Sequence, residues 1–153
     1  MEKHRRKNVE LARARNFRRS LVQQVEQYQN LLNENQFEKL QELLPPDSRL
    51  LLLPLQKKIE GNVGIIRFWK AEKRSGLKAM KFKIRKIFIE PCEKLVKEGD
   101  GYKRFDALAF VFGTYSYLKG KSAKRVGPQQ GYLCLAFRHR DDCNWGLGDQ
   151  FLG

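Results

Sequence analysis

Residues 64–89 read GIIRFWKAEKRSGLKAMKFKIRKIFI, and the parsing of this stretch decides the fold. Gly64 to Trp69 is β-branched and aromatic, a composition that favours a strand. Met80, Phe82 and Ile84 then alternate with Lys81, Lys83 and Arg85. A period of two puts the apolar residues on one face of a strand and the cations on the other. The alternation slips after Arg85, because Ile87 and Ile89 take the phase of the lysines. A bulge near Arg85-Lys86 accounts for the slip. Pro91 predicts the end of this strand, and Cys92 to Lys97 predicts one helical turn.

Toward higher numbers, Asp100-Gly101 marks a tight turn. Phe105 to Leu118 is apolar on both faces, which suits a central strand. Gly131 to Phe137 predicts another strand, with Leu133, Leu135 and Phe137 on one face. The tail from Cys143 to Gly153 is short and glycine-bearing.

Toward lower numbers the period changes. Leu11, Ala14, Arg18, Leu21, Val25, Tyr28 and Leu32 recur at spacings of three and four, one side of a helix. Phe17 and Val22 widen the stripe, and no Gly or Pro interrupts before Pro45. Asn35 with Glu38 predicts a capping box for a second helix carrying Phe37, Leu40, Leu43 and Leu44. A break near Asn33–Asn35 is therefore preferred to one long bent helix. Pro45-Pro46 ends the helical region. Asp47 or Ser48 then caps a short helical turn through Leu50–Leu53.

The expected fold class is α+β: an N-terminal helix or αα-hairpin followed by a small antiparallel sheet of three to five strands. Helices followed by strands indicate segregation rather than βαβ alternation. Residues 1–46 form a basic N-terminal arm and helical element. Residues 47–153 form an antiparallel β-rich domain, folded as one unit with the helices.

The chain has 153 residues, enough for an ordinary core, and 31 Lys and Arg against 17 Asp and Glu give a net charge of +14. Such an excess points to polyanionic partners, with nucleic acid ahead of an anionic membrane. The excess sits in two blocks. Residues 1–19 hold eight basic and two acidic residues, and residues 61–105 hold thirteen and five. Residues 20–60 are slightly acidic, with four and six.

The nucleic-acid-binding candidates follow from those blocks. In the arm they are Arg5, Arg6, Lys7 and Arg13. In the most informative segment they are Trp69, Lys70, Lys73, Arg74, Lys78, Lys81, Lys83, Arg85 and Lys86. Lys121, Lys124 and Arg125 complete the set on a Gly- and Pro-bracketed loop. Cations contact phosphates, and an exposed Trp69 would stack on a base.

Other chemistry finds less support. Gly120-Lys121-Ser122 lacks the earlier glycine of a phosphate-cradling loop, since Tyr115 stands in its place. Cys134, His139 and Cys143 make an incomplete zinc set, and Cys92 would have to supply the fourth ligand. His139 with Asp141 and Asp142 is the only candidate group for acid–base or metal-assisted phosphodiester cleavage. No 20-residue apolar run or secretory leader pattern is present in the sequence. The three cysteines do not form a disulfide framework.

The reading from sequence is thus a small intracellular RNA-binding protein of a reducing compartment, cytoplasm or nucleus. It contacts backbone phosphates and shape with little sequence reading, as a ribonucleoprotein subunit or alone. RNA is favoured over DNA, and no membrane, cofactor, metal or enzymatic activity is expected. The alternatives are an assembly subunit, pairing with a protein or a second copy through residues 11–32, and a metal-dependent nuclease.

Overall fold

The computed structural model describes residues 2–98, 101–119, 129–140 and 145–153. In chain order the elements are α1 (Glu2–Asn33), α2 (Phe37–Glu42), β1 (Arg49–Leu52), a 3-10 turn at Leu53–Leu55, and β2 (Lys57–Glu60). Then come α3 (Asn62–Arg74), β3 (Leu77–Glu98), β4 (Gly101–Lys119), β5 (Gln129–Arg140) and β6 (Trp145–Leu152). The strands form one six-stranded sheet in the order β2-β1-β6-β5-β4-β3. All neighbours are antiparallel except β1 and β6, which run parallel with Arg49 opposite Asp149 and Leu52 opposite Leu152.

This corrects the expected antiparallel sheet of three to five strands. The sheet is larger and mixed, because three segments, β1, β2 and β6, form strands that the sequence patterns do not predict. Leu50–Leu52 is strand rather than helical turn, pairing with β2 on one side and β6 on the other. The glycine-bearing tail is β6, seated between β1 and β5. Glycine lowers intrinsic strand preference, so β6 owes its conformation to partners on both edges.

Gly64–Trp69 is the second correction: it lies within helix α3. Ile65, Ile66 and Trp69 are its buried residues, one turn of helical spacing, while Arg67 and Lys70 are exposed. Gly76, at φ 100°, follows the helix in a backbone conformation suited to glycine, and the chain turns there into β3. Pro91 does not end β3, which continues through Glu98 with a register irregularity between Pro91 and Lys94. The Cys92–Lys97 turn is therefore strand.

Two local expectations hold. The ladder between β3 and β4 shifts between Ile84 and Lys86, a bulge at Arg85. Gly113 of β4 lies opposite Ile84, where a Cβ would collide with the Lys83 carbonyl. The helical region also breaks where expected, with Asn35 at φ 60°. The cap is different, however: Gln36 precedes α2 and no side chain caps it.

The helices cover one face of the sheet. Leu21, Val25, Tyr28 and Leu32 of α1 share a core with Ile65, Ile66 and Trp69 of α3 and with Val111, Leu133, Leu135 and Phe137 of the sheet. The stripe from Leu21 to Leu32 is thus filled by the chain's own sheet, not by a partner helix. Arg18, placed in that stripe by spacing, is exposed. Asn33 ties α1 to β3 twice, donating to the Met80 carbonyl at 2.8 Å and accepting from its N–H at 2.7 Å.

Candidate functional site

A polar chain crosses the core. Trp69 Nε1 donates to Tyr28 Oη at 2.9 Å, and Tyr28 Oη donates to Gln150 Oε1 at 2.8 Å. Tyr28 is 1% exposed, and burial pushes its phenol well above the ordinary value, against smaller opposing effects from Trp69 and Gln150. The phenol therefore keeps its proton and serves as a donor. Gln150 Nε2 is buried with no hydrogen-bond partner among the described residues.

Beside this core, a cleft of about 440 Å³ opens between α3 and the end of the sheet where β3 begins. Leu52, Leu77, Met80 and Leu152 are its buried lining, while Pro54 and Leu55 are exposed. Phe68 and Glu72, four residues apart, bring one helical face of α3 to it. Tyr115 and Tyr117 reach it from β4, two residues apart on one strand face. Their rings stack at 6.1 Å between centroids and 11° between planes.

Tyr115 Oη donates to the Gly153 carbonyl at 3.1 Å. Burial first, and the neighbouring Tyr117 second, raise the Tyr115 phenol above its ordinary value. Gly131 makes this packing feasible: a Cβ there would collide with the Tyr115 ring and the Gly153 carbonyl. Glu72 is the one acidic side chain lining the cleft. The arrangement offers an apolar floor, a stacked aromatic pair, phenol groups and one carboxyl group.

The sequence-derived site residues divide between two sides of the molecule. Trp69 is 2% exposed and hydrogen-bonded in the core, so it is not a stacking platform. Lys70, Lys73 and Arg74 line a cleft with Asn35 and Phe37 on the helical side. Lys70 Nζ lies 5.7 Å from the Phe37 ring centroid, and desolvation lowers the Lys73 ammonium below its ordinary value. Lys81, Lys83 and Arg85 line a groove of about 520 Å³ with Thr114, Ser116 and Tyr132. That groove lies on the sheet face away from the helices, because Met80, Phe82 and Ile84 take the covered face.

Lys86 sits past the bulge with Nζ 4.7 Å from the Phe88 ring centroid, and Lys78 is exposed near the start of β3. Arg5, Arg6, Lys7 and Arg13 belong to α1, but their side chains lie outside the described residues. Lys121, Lys124 and Arg125 lie wholly outside them, as do Asp141, Asp142 and Cys143. Cys134 and His139 do not converge: Cys134 pairs with Phe112 on the uncovered face, whereas the His139 ring lies 4.6 Å from Phe17 and 4.8 Å from Trp145. Among the described residues no group of three His, Cys, Asp or Glu side chains could hold a metal ion. No helix there is long and apolar enough to cross a membrane.

Sequence reasoning missed the cleft. Its lining comes from α3, β1, β3, β4, β5, β6 and the turn after β1, and no local pattern joins them. Tyr115 and Tyr117 gave the one usable signal, two phenols at strand spacing.

No family model matches the chain, and no curated protein matches its sequence. Solved structures do share the architecture. An NTF2-like protein with a cystatin-like fold from Novosphingobium aromaticivorans is 17% identical, with a TM-score of 0.63 over 93% of this chain and 85% of that one. A protein described as a SnoaL-like polyketide cyclase, from Shewanella putrefaciens, is 18% identical, with a TM-score of 0.53 over 86% of each chain. A ketosteroid isomerase-like protein from Erwinia carotovora atroseptica is 12% identical, with a TM-score of 0.62 over 87% of this chain and 92% of that one.

The chain has an NTF2-like, cystatin-like α+β fold. That finding overturns the reading of a non-enzymatic RNA-binding protein or ribonucleoprotein subunit with nucleic acid as its partner. Some of the structures that share the fold are named SnoaL-like polyketide cyclases or ketosteroid isomerase-like proteins, and none of those described above is named as nucleic-acid-binding. The assembly-subunit and nuclease alternatives fall with it. The physical reason is visible in the core and the sheet. The run that looked like one basic surface is cut by the Gly76 turn, and its aromatic anchor is buried.

Proposed function

We propose that the protein binds a small, largely apolar molecule bearing one polar group in the cleft between α3 and the sheet. The observation that carries this reading is the cleft itself: about 440 Å³, apolar beneath, with Glu72 and the Tyr115 and Tyr117 phenols at its walls. Ligand sites of roughly 300–1,000 Å³ commonly combine an apolar lining with a few placed polar groups. Flat ring systems suit the stacked tyrosines. An intracellular, reducing setting belongs to the same reading, supported by three cysteines without a disulfide pattern.

A second reading adds chemistry at the same place. Glu72 is a carboxyl group in a mainly apolar cleft, and such a group can take or give a proton to a bound ring or carbonyl compound. The Tyr117 phenol would then donate to oxygen as charge develops. This fits the cyclase and isomerase-like names among the structural neighbours, at the level of fold.

Titration with a panel of aromatic ketones, followed by backbone amide chemical shifts, tests the reading. Saturable shifts should centre on Phe68, Met80 and Tyr117, and Met80→Trp should abolish them by filling the cleft. Shifts that map elsewhere, or that persist in Met80→Trp, would refute it. For the second reading, Glu72→Gln should keep binding and lose exchange of the ketone's α-proton with solvent.

A further inference from the structure

We infer that the uncovered face of the sheet carries a second ligand site, built for a small phosphorylated compound with a planar ring. The residues come from three adjacent strands in fixed register. Lys83 of β3 lies opposite Thr114 of β4, which lies opposite Tyr132 of β5. Lys81, Ser116 and Gln130 form the neighbouring row. Together with Arg85 these residues line the groove of about 520 Å³.

Three observations make this more than a solvated basic strand. First, the cations stand without counter-charge: Lys81, Lys83 and Arg85 form no ion pair among the described residues. No carboxylate lines the groove. Second, the bulge departs from simple alternation, so consecutive Arg85 and Lys86 are both exposed. Bulges re-aim side chains in this way, and Gly113 supplies the close backbone approach opposite it. Third, Tyr132 is 78% exposed, the most exposed of the large hydrophobic side chains described.

Chemistry and spacing then select the ligand. Side chains two residues apart on a strand are roughly 6.7 Å apart, and strands are about 4.8 Å apart. That separation exceeds the gap between the phosphates of one diphosphate, so the long, flexible Lys81 and Lys83 side chains converge on it from two sides, with Arg85 beyond them as a planar fork for phosphate oxygens. The Thr114 and Ser116 hydroxyls line the same floor. Tyr132 lies two strands from Lys83, roughly 10 Å away, and presents a face on which a ring can stack. A nucleoside diphosphate has that combination of charge, length and ring. The groove adjoins the apolar cleft, sharing Tyr115 and Gln130 with it, but its cations stand on the opposite face of the sheet.

Calorimetric titration with ADP and with inorganic pyrophosphate tests the proposal. The variants are a sheet triple (Lys81→Gln, Lys83→Gln, Arg85→Gln), a helix triple of equal charge change (Lys70→Gln, Lys73→Gln, Arg74→Gln), and Tyr132→Ala. All these side chains but Lys73 are exposed, and thermal melts identify any variant that does not fold. The sheet triple should weaken both probes at least about tenfold, with the helix triple within about twofold. Tyr132→Ala should weaken ADP about fivefold or more and leave pyrophosphate unchanged. Absence of binding by the wild type, or equal losses in the two triples, would overturn the site. Equal effects of Tyr132→Ala on both probes would overturn the ring. Tighter binding of a single-stranded RNA than of ADP, lost in the sheet triple, would overturn the small-molecule assignment.

Discussion

Trp69 Nε1 lies 2.9 Å from Tyr28 Oη, and this one hydrogen bond joins the two helices that cover the sheet. Tyr28 passes the connection on to Gln150 of β6, so a single phenol links α1, α3 and the sheet. The bond is buried on both sides, which gives its loss a definite cost.

Tyr28→Phe should leave the Trp69 N–H without an acceptor and Gln150 Oε1 without a donor. Orphaned buried groups cost about 1–3 kcal/mol each, so a loss of about 2–6 kcal/mol is expected. The melting temperature should fall by roughly 5–20 °C. An unchanged melt would mean that these groups find other partners.

The same phenol sets an alkaline limit. In the unfolded chain Tyr28 titrates near 10.0, while burial raises it in the folded protein. Above pH about 10 the unfolded state therefore gives up a proton that the native state retains. Stability from this source is complete below that pH and falls as pH rises, with a slope of up to about 1.4 kcal/mol per pH unit. Denaturant titrations across this range should show a shallower decline in Tyr28→Phe. Identical slopes would remove Tyr28 as the cause.

Gly131→Ala should destabilise by about 1–3 kcal/mol, because the added carbon meets the Tyr115 ring and the Gly153 carbonyl. Gly153 also exchanges backbone hydrogen bonds with Tyr132, so the strain falls on a paired strand end. The variant should also weaken cleft ligands through displacement of Tyr115. Gly101→Ala is the control, since a Cβ there meets nothing within 4 Å.

Leu21 is fully buried, whereas Arg18, one turn earlier, is exposed. Leu21→Asp should cost at least about 4 kcal/mol, as an unpaired charge in an apolar core. Arg18→Glu should change stability by no more than about 0.5 kcal/mol. Urea unfolding midpoints distinguish the two. A tolerant Leu21 would contradict the packing of α1 on the sheet.

How much of this was legible in the sequence depended on how far apart the partners lie. The break at Asn35 and the alternation at Met80–Arg85 are local patterns, so both could be read, and the bulge appeared as a phase slip. Gly64–Trp69 reads as strand because its β-branched and aromatic residues favour one locally, and helical packing against the core overrides that preference. What decides it is Tyr28, which receives the Trp69 N–H from 41 positions away. β6 was missed for a related reason: its glycines speak against a strand, and its parallel partner begins 100 residues earlier at Arg49. The positive charge of residues 69–85 was legible, but not its division. The turn at Gly76 sends Lys70, Lys73 and Arg74 to the helical side and leaves Lys81, Lys83 and Arg85 on the open face.

The parallel pairing of β1 with β6 also sets an order of events during folding. Arg49 grips Asp149 through two hydrogen bonds of 2.8 Å, closing a loop of 100 residues. Contacts of such long sequence separation form late, because the closure entropy precedes the gain. The hairpin of β1 and β2 borders no other strand of the sheet but β6. On a ribosome it must therefore wait, one edge unpaired, until the final strand has emerged. The β3–β4–β5 meander, with neighbours adjacent in sequence, can assemble long before. The half-built sheet would expose the edge of β5 in that interval, making it the stage most open to wrong pairing.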